Sequence, residues 1–285
     1  MTLSGISYIR NGLTCSYPIL EALIQVEPYV DEFIISDGGS TDGTWELLQR
    51  MAARWSKIRL VQREWQLGYG GAAFREATDH AFSHAQGDWV LYVQADEIWW
   101  SQSAAHVRDL VSQVPDGYDG FAVPVYDIGG NFQVVRSVYN MQRILRNRKG
   151  LFSIGDSLAF GGLREQWRDV LDTEMPRIIN LGWAFPLGGF HKEVEAVKWH
   201  NEGRDTAESM LGRLGLASYS KETFPQCLKN HLNWKWRSME EQGNNTRIDT
   251  ERFALKTSPI QNLLPPILHD FIGSPEYFVR DSLFE

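Results

Sequence analysis

Two acidic clusters follow apolar runs in the first hundred residues. Asp37 opens the string Asp37-Gly38-Gly39-Ser40-Thr41-Asp42-Gly43-Thr44, and Asp96-Glu97 closes Gln94-Ala95-Asp96-Glu97. A carboxylate at the end of a strand can accept hydrogen bonds from ligand N–H or hydroxyl groups. It can also hold Mg²⁺ or Mn²⁺, which take oxygen ligands. The same residues have plainer uses: Asp-Gly-Gly-Ser makes a strand-to-helix turn, and Asp96-Glu97 could cap a helix opening before Trp99-Trp100. Arg10-Asn11 ends another apolar run, and Arg75 follows the glycine-bearing stretch from Gly68 to Gly71. Each arginine is either a ligand-facing cation or an ordinary surface residue.

These groups need elements to carry them. Leu3 to Ile9 reads as a strand and Asn11-Gly12 as a turn; Ser16 and Pro18 then mark a helix start, with Ile19, Leu20, Leu23 and Ile24 on one face. Phe33-Ile34-Ile35 reads as a second strand. A helix from about Asp42 follows, with Leu47, Leu48, Met51 and Trp55 at helical spacing. Ile58 to Val61 is the third strand, and Ala73, Ala77 and Ala81 share one side of the next helix. Trp89 to Val93 is the fourth strand, apolar throughout as a strand buried on both faces should be. This alternation predicts a mainly parallel sheet with helices on both faces, in which ligands bind outside the C-terminal ends of the strands. Both acidic clusters fall at such ends.

Past residue 115 the pattern changes. Phe121 to Val125, Val134 to Tyr139 and Arg177 to Leu181 read as strands separated by glycine-rich loops. From Glu193 to about Trp236 the chain reads as mostly helical. The tail from Gln242 to Glu285 turns apolar around Ile260 to Ile272, broken by Pro265-Pro266. It is expected to pack on the body or on a second subunit, which makes it the candidate homodimer contact. The division expected is 1–192 as the sheet domain, with 1–100 and 101–192 as its halves, and 193–285 as a helical extension.

Composition narrows the function. A net charge of −8 and a pI near 5.4, with no Lys/Arg run, argue against nucleic-acid binding. Two cysteines, Cys15 and Cys227, make no disulfide framework and have no metal-ligand spacing. No stretch approaches the roughly 18 apolar residues of a membrane span, and the N-terminus lacks a secretory pattern. The expectation is a cytoplasmic protein, peripheral at most at the inner face of the membrane. Eleven Trp residues supply flat faces that suit sugar rings as well as a core.

Val30-Asp31-Glu32-Phe33-Ile34-Ile35-Ser36-Asp37-Gly38-Gly39-Ser40-Thr41-Asp42-Gly43-Thr44 resembles the second-strand signature of family 2 glycosyltransferases, which have the GT-A (Rossmann-like) fold. Gly87-Asp88-Trp89-Val90-Leu91-Tyr92-Val93-Gln94-Ala95-Asp96-Glu97 resembles their fourth strand, which ends in a DxD motif. The resemblance is specific over residues 1–100 and weak beyond about 145. The members most resembled are soluble, single-domain enzymes of cell-surface polysaccharide or lipooligosaccharide assembly. It implies an inverting transfer of one sugar from a nucleotide-sugar, UDP-linked by preference, to a glycan or lipid-linked acceptor.

The site residues so implied are Arg10, Asp37, Gly39, Arg75, Gln94, Ala95 and Asp96 for the donor, with Asp37 against the uracil or ribose. Asp96 would hold Mn²⁺ or Mg²⁺ at the diphosphate. Gln94 departs from the pattern, standing where the first Asp of DxD is expected. Asn180, in Asn180-Leu181-Gly182-Trp183, stands where a third metal ligand, a His, is usual; His191 and then His200 are the substitutes. The resemblance puts the acceptor's base at Asp156, in Ser153-Ile154-Gly155-Asp156-Ser157, with Glu165 as the alternative. Trp99, Trp100 and Trp183 are candidates for stacking on the acceptor.

Gln166-Trp167-Arg168 resembles the QxxRW motif of processive synthases, but its spacing differs. A sugar nucleotidyltransferase would need a basic glycine-rich loop that Arg10-Asn11-Gly12-Leu13 does not supply. Gln94 and Asn180 also leave open a degenerate relative that binds nucleotide or glycan without transfer.

Overall fold

The computed structural model of the chain describes residues 1–66, 71–114, 117–129, 132, 134–154, 159–162, 166–170, 178–185, 188–189, 191–192, 195, 264–272, 274 and 276–284. Its first half alternates as the apolar periodicity predicts: β1 (Leu3–Ile9), α1 (Ile19–Val26), β2 (Glu32–Asp37), α2 (Thr44–Arg54), β3 (Ile58–Gln62), α3 (Ala72–Ser83) and β4 (Trp89–Tyr92). There follow β5 (Glu97–Trp99), α4 (Ser101–Gln113), the long hairpin β6 (Tyr118–Gly129) and β7 (Val134–Arg146), and β8 (Phe152–Ile154) and β9 (Ala159–Gly161). Short β10 (Gln166–Asp169) and β11 (Ile178–Trp183) complete the strands.

The described strands form a nine-stranded sheet in the order β3-β2-β1-β4-β7-β6-β11-β5, with β10 beside β6, and a separate β8-β9 pair. Strands β3, β2, β1 and β4 run parallel, so their C-terminal ends share one edge. Beyond β4 the sheet is mixed: β7 is antiparallel to β4 and β6, β11 is parallel to β6, and β5 is antiparallel to β11. This is the mixed, mainly parallel arrangement expected of a GT-A fold. Alternate side chains leave opposite faces of a strand. Phe33, Ile35 and Leu91 therefore join a core with α1, α2 and α4, while Ile6, Ile34 and Val90 pack toward Ala81 of α3.

The structure bears on two expectations about the second half. First, Asp96-Glu97 does not cap a helix: Glu97 begins β5, whose Ile98 and Trp99 pair with Ile179 and Ile178 of β11. Both faces of β5 are covered, so Trp99 is fully buried and cannot stack on an acceptor; Trp100 is half-buried against the same core. Second, the apolar stretch near the C-terminus covers the chain's own body. Leu264, Leu268, Phe271 and Tyr277 lie in the core that contains Leu20 and Leu23, the first of the two partners expected for this stretch. The described tail consists of 3₁₀ turns at Pro266–Phe271 and Asp281–Phe284. The helix expected from Glu193 to Trp236 lies outside the described residues, apart from a helical residue at Glu195. No helix among the described residues is long and apolar enough to cross a membrane.

Two buried ion pairs tie distant segments together. Arg143 of β7 donates to Glu97 of β5 from Nε (2.9 Å) and Nη2 (2.7 Å), both side chains are 1% exposed, and the guanidinium lies 4.8 Å from the centre of the Tyr92 ring. Arg280 reaches from the tail to Glu21 of α1 through Nη2 (3.0 Å) and Nε (3.2 Å), and also holds Asp270 at 2.8 Å. Burial raises the Glu21 carboxyl above its usual range, and the Arg280 charge works against that rise.

Replacing Arg280 by Met removes this opposition, so the folded-state pKa of Glu21 rises further above its unfolded value. A raised carboxyl stabilises the fold below the unfolded pKa, about 4.3, and that contribution is lost as pH climbs through the folded value. The R280M variant should therefore lose up to about 3–5 kcal/mol at neutral pH and progressively less in acid. Urea unfolding across pH measures this; a loss that does not depend on pH would contradict it.

Candidate active site

The strand ends carry the site. Ile9 at the end of β1 pairs with Asp37 at the end of β2, which pairs with Gln62 of β3, so three chain exits lie side by side. Asp37 is fully buried. Its Oδ2 accepts the N–H groups of Gly39 (3.0 Å) and Ser40 (3.1 Å), and its Oδ1 accepts the Ser40 hydroxyl at 2.5 Å. The side chain thus folds its own turn. Gly39 completes that turn at φ 84°, a conformation that glycine adopts without strain.

Asp42 does similar work one step on, accepting from Thr44 N–H (3.1 Å) and hydroxyl (2.6 Å) and from Thr14 N–H (2.7 Å). Asn11 and Ser40 cross-link the β1 and β2 exits: Ser40 Oγ accepts Asn11 N–H at 2.9 Å, and Asn11 Oδ1 accepts Thr41 N–H at 2.9 Å. Arg10 Nη1 donates to the carbonyls of Gly38 (2.5 Å) and Gly39 (2.8 Å).

Over these exits opens a cleft that combines aromatic and polar side chains, as small-molecule sites do. One wall is aromatic: Tyr8 of β1, Trp65 after β3 and Phe74 of α3, with Trp65 and Phe74 edge to face at 5.2 Å and Tyr8 and Trp65 at 5.8 Å. Arg10, Gln94, Ala95 and Asp96 form the floor, and Cys15, Tyr17, Lys192 and Glu195 the far side. Gln94 donates its amide to the Tyr92 hydroxyl at 3.1 Å. Burial, and secondarily the Glu195 charge, push the Cys15 thiol up to about 12, so it stays protonated and is no nucleophile at neutral pH.

At the Asp96 end, Lys192 Nζ donates to Asp96 Oδ2 at 2.5 Å, and the ammonium lies 5.7 Å from the Tyr17 ring centre. Asn180 of β11 belongs to the same spot. Its Oδ1 accepts the Gly182 N–H at 3.0 Å, and Leu181 N–H donates to the Asp96 carbonyl at 2.7 Å. A Cβ on Gly182 would run into Lys192 Nζ and would lie 2.7 Å from Asp96 Oδ2 and 3.2 Å from Asn180 Oδ1. Any other residue there would have to displace the tip of the lysine side chain.

The structure thus brings Arg10, Gln94, Ala95 and Asp96 into one cleft and sets Asp37 and Gly39 beneath it as the frame. Arg75 falls outside the lining, exposed on α3 within electrostatic reach of Asp79. His191, half-buried, also falls outside the lining; burial lowers its pKa while Glu195 and Glu276 act to raise it, so those are the charges it feels. The residue that meets Asp96 is its neighbour Lys192. Asp156, Glu165, His200 and the side chain of Trp183 lie outside the described residues.

Sequence reasoning missed Tyr8, Trp65, Phe74, Lys192 and Glu195. Trp65 had a usable signal, since it follows a parallel strand at the ligand-binding edge. Lys192 had none, because it enters from a segment 96 residues away from Asp96.

A divalent ion is the group such a site would ordinarily hold, and the donor set fits it poorly. Among the described residues no three His, Cys, Asp or Glu side chains gather as a metal site. Glu97 faces away into its pair with Arg143, and one of the two Asp96 carboxylate oxygens, Oδ2, already faces an ammonium.

Residues 17–168, just over half of the 285, match the family model described as Glycosyl transferase family 2. Glycosyltransferase AglD of Haloferax volcanii is 27% identical over 234 residues, covering 76% of this chain and 35% of that protein. The chain thus spans about a third of the length of this curated relative. Solved structures with a similar course include S. aureus TarS 1-349, at 16% identity, 90% coverage of this chain and 76% of that one, with a TM-score of 0.42. Another is the mannosyltransferase PcManGT from Pyrobaculum calidifontis, in complex with GDP-Man and Mn²⁺, at 15% identity, 80% and 68% coverage and a TM-score of 0.43. With more than half its residues matched by that model, the chain belongs to glycosyl transferase family 2.

Proposed function

We propose that this chain transfers a single sugar from a nucleotide-sugar, UDP-linked by preference, to a glycan or lipid-linked acceptor with inversion at the anomeric carbon, in the assembly of cell-surface glycans. The observation that carries the reading is the two-ended cleft: an aromatic wall of Tyr8, Trp65 and Phe74, with Arg10 on the turn beside it, joined to a charged end of Asp96 and Lys192. A base has a flat π face that stacks on aromatic rings, and a diphosphate needs positive charge and N–H donors. Between these ends, Gln94 and Ala95 line the place of the ribose and the α-phosphate.

Catalysis then requires a base for the acceptor hydroxyl on the face of the sugar opposite the diphosphate. We assign that role to Asp156, with Glu165 as the alternative, and acceptor stacking to Trp183 and Trp100. Asp37 acts on the donor chiefly through the turn it holds. The degenerate reading, binding without transfer, is separated by turnover.

Titrating UDP and GDP into the protein tests the donor site. One nucleotide should bind, and Trp65→Ala should weaken it by about 1–3 kcal/mol, the scale of one lost base–aromatic stack. Unchanged affinity in a folded W65A variant would place the base elsewhere. Asp156→Asn should lower turnover by about 10²- to 10⁴-fold while nucleotide affinity holds, as expected for loss of a general base. Full turnover in that variant would shift the role to Glu165.

A further inference from the structure

Resting on that reading, the cleft raises a question of charge. As the sugar leaves, the bond between the anomeric carbon and the diphosphate oxygen breaks with its electron pair passing to that oxygen. The acceptor oxygen forms the new bond to carbon and gives up its proton to the base. The nucleoside diphosphate gains negative charge at that moment, and a fixed cation beside it lowers the barrier. The protein is itself acidic, at −8, so the cation must be local.

Four observations identify it. The Lys192 ammonium stands in the cleft, its side chain 24% exposed against 8% for Asp96, and is oriented by the 2.5 Å bond to Asp96 Oδ2. Gly182 leaves open the space it occupies, where a Cβ would push Nζ aside. The two positions that depart from a metal-binding pattern, Gln94 and Asn180, are both neutral amides. Each already has a protein partner: the Tyr92 hydroxyl for Gln94, and the Gly182 N–H for Asn180. Finally, a divalent ion ligating Asp96 Oδ2 at about 2.0–2.1 Å would touch the ammonium on the same oxygen, a like-charge contact in a partly desolvated site.

We propose that Lys192 is the resident cation of this site: its ammonium, positioned by Asp96, meets the donor's diphosphate, and the protein binds its nucleotide without a divalent metal. Asp96 is accordingly a positioning residue and not a metal ligand. The departures at Gln94 and Asn180 then follow from one cause, because a site whose charge comes from a lysine has no use for further anionic or imidazole ligands.

The test is isothermal titration of UDP and GDP into the full chain, first in excess EDTA and then with Mn²⁺. Wild type, Lys192→Met and Lys192→Arg are compared, with circular dichroism and the unfolding midpoint confirming that each variant is folded. Wild type should bind one nucleotide equally well in both conditions. K192M should bind roughly ten- to a hundredfold more weakly in EDTA, the size of a lost hydrogen bond to a charged group, and K192R should retain most of the affinity. Wild-type binding that vanishes in EDTA and returns with Mn²⁺ overturns the proposal and leaves the donor-site reading standing, as does K192M binding as tightly as wild type. No binding of either nucleotide to wild type in either condition overturns the donor-site reading itself.

Discussion

A carboxylate shut away from water must be hydrogen-bonded or paired with a cation, and in this chain that requirement decides the geometry of the site. Glu97 is 1% exposed, and Arg143 meets it with two hydrogen bonds. A two-point contact between planar groups fixes direction as well as distance. It pins the start of β5 to β7 and turns Glu97 into the sheet, so the preceding residue, Asp96, faces the other way and becomes the carboxylate of the cleft. The β11 strand pairs with β5 opposite this point and brings Asn180 and Gly182 to the same spot, where Lys192 closes the arrangement. One buried pair thus determines which of two adjacent acids lines the cleft.

The other end of the cleft depends on a different economy. The exits of β1 and β2 are loops that water could reach, and they are stiffened by side-chain hydrogen bonds from Asp37, Asp42, Asn11 and Ser40 to backbone N–H groups. Such bonds substitute for the regular ladder where the chain leaves the sheet. They hold the carbonyls of Gly38 and Gly39 against Arg10, and a backbone bond from Trp65 N–H to the Gly38 carbonyl at 3.2 Å ties the aromatic wall to the same turn. A rigid hydrogen-bonded frame beneath a π surface is a suitable base for a flat, polar ligand, because little order remains to be imposed when it binds.

Legibility in the sequence followed the range of the interactions. The strands β1 to β4 are apolar runs between turn signals, so local pattern placed them within a residue or two, and the acidic clusters fell at their ends as the parallel topology demands. The short strand β5 carries no such signal. Three residues cannot show a period, and the strand exists because β11, some 80 residues on, supplies its hydrogen bonds. That is why Trp99 read as an exposed platform and proved to be core. Lys192 was invisible for the same reason, since its meaning comes from Asp96 and not from its neighbours. Asp37 stands at the end of β2 as expected, and its buried carboxylate serves the turn. The tail beyond residue 264 was legible as apolar and ambiguous in its partner, which the Arg280–Glu21 pair and the shared core settle in favour of its own body.

On this reading the cleft holds a nucleoside diphosphate with its base on the aromatic wall and its phosphates on a lysine. A crystal structure of the protein grown with UDP and Mn²⁺ together would show both contacts. The base should lie against Trp65 and Tyr8, with a phosphate oxygen within hydrogen-bond distance of Lys192 Nζ and no metal ion between Asp96 and the phosphates. A Mn²⁺ ion bridging Asp96 to the diphosphate, with Lys192 swung out of the cleft, would contradict it.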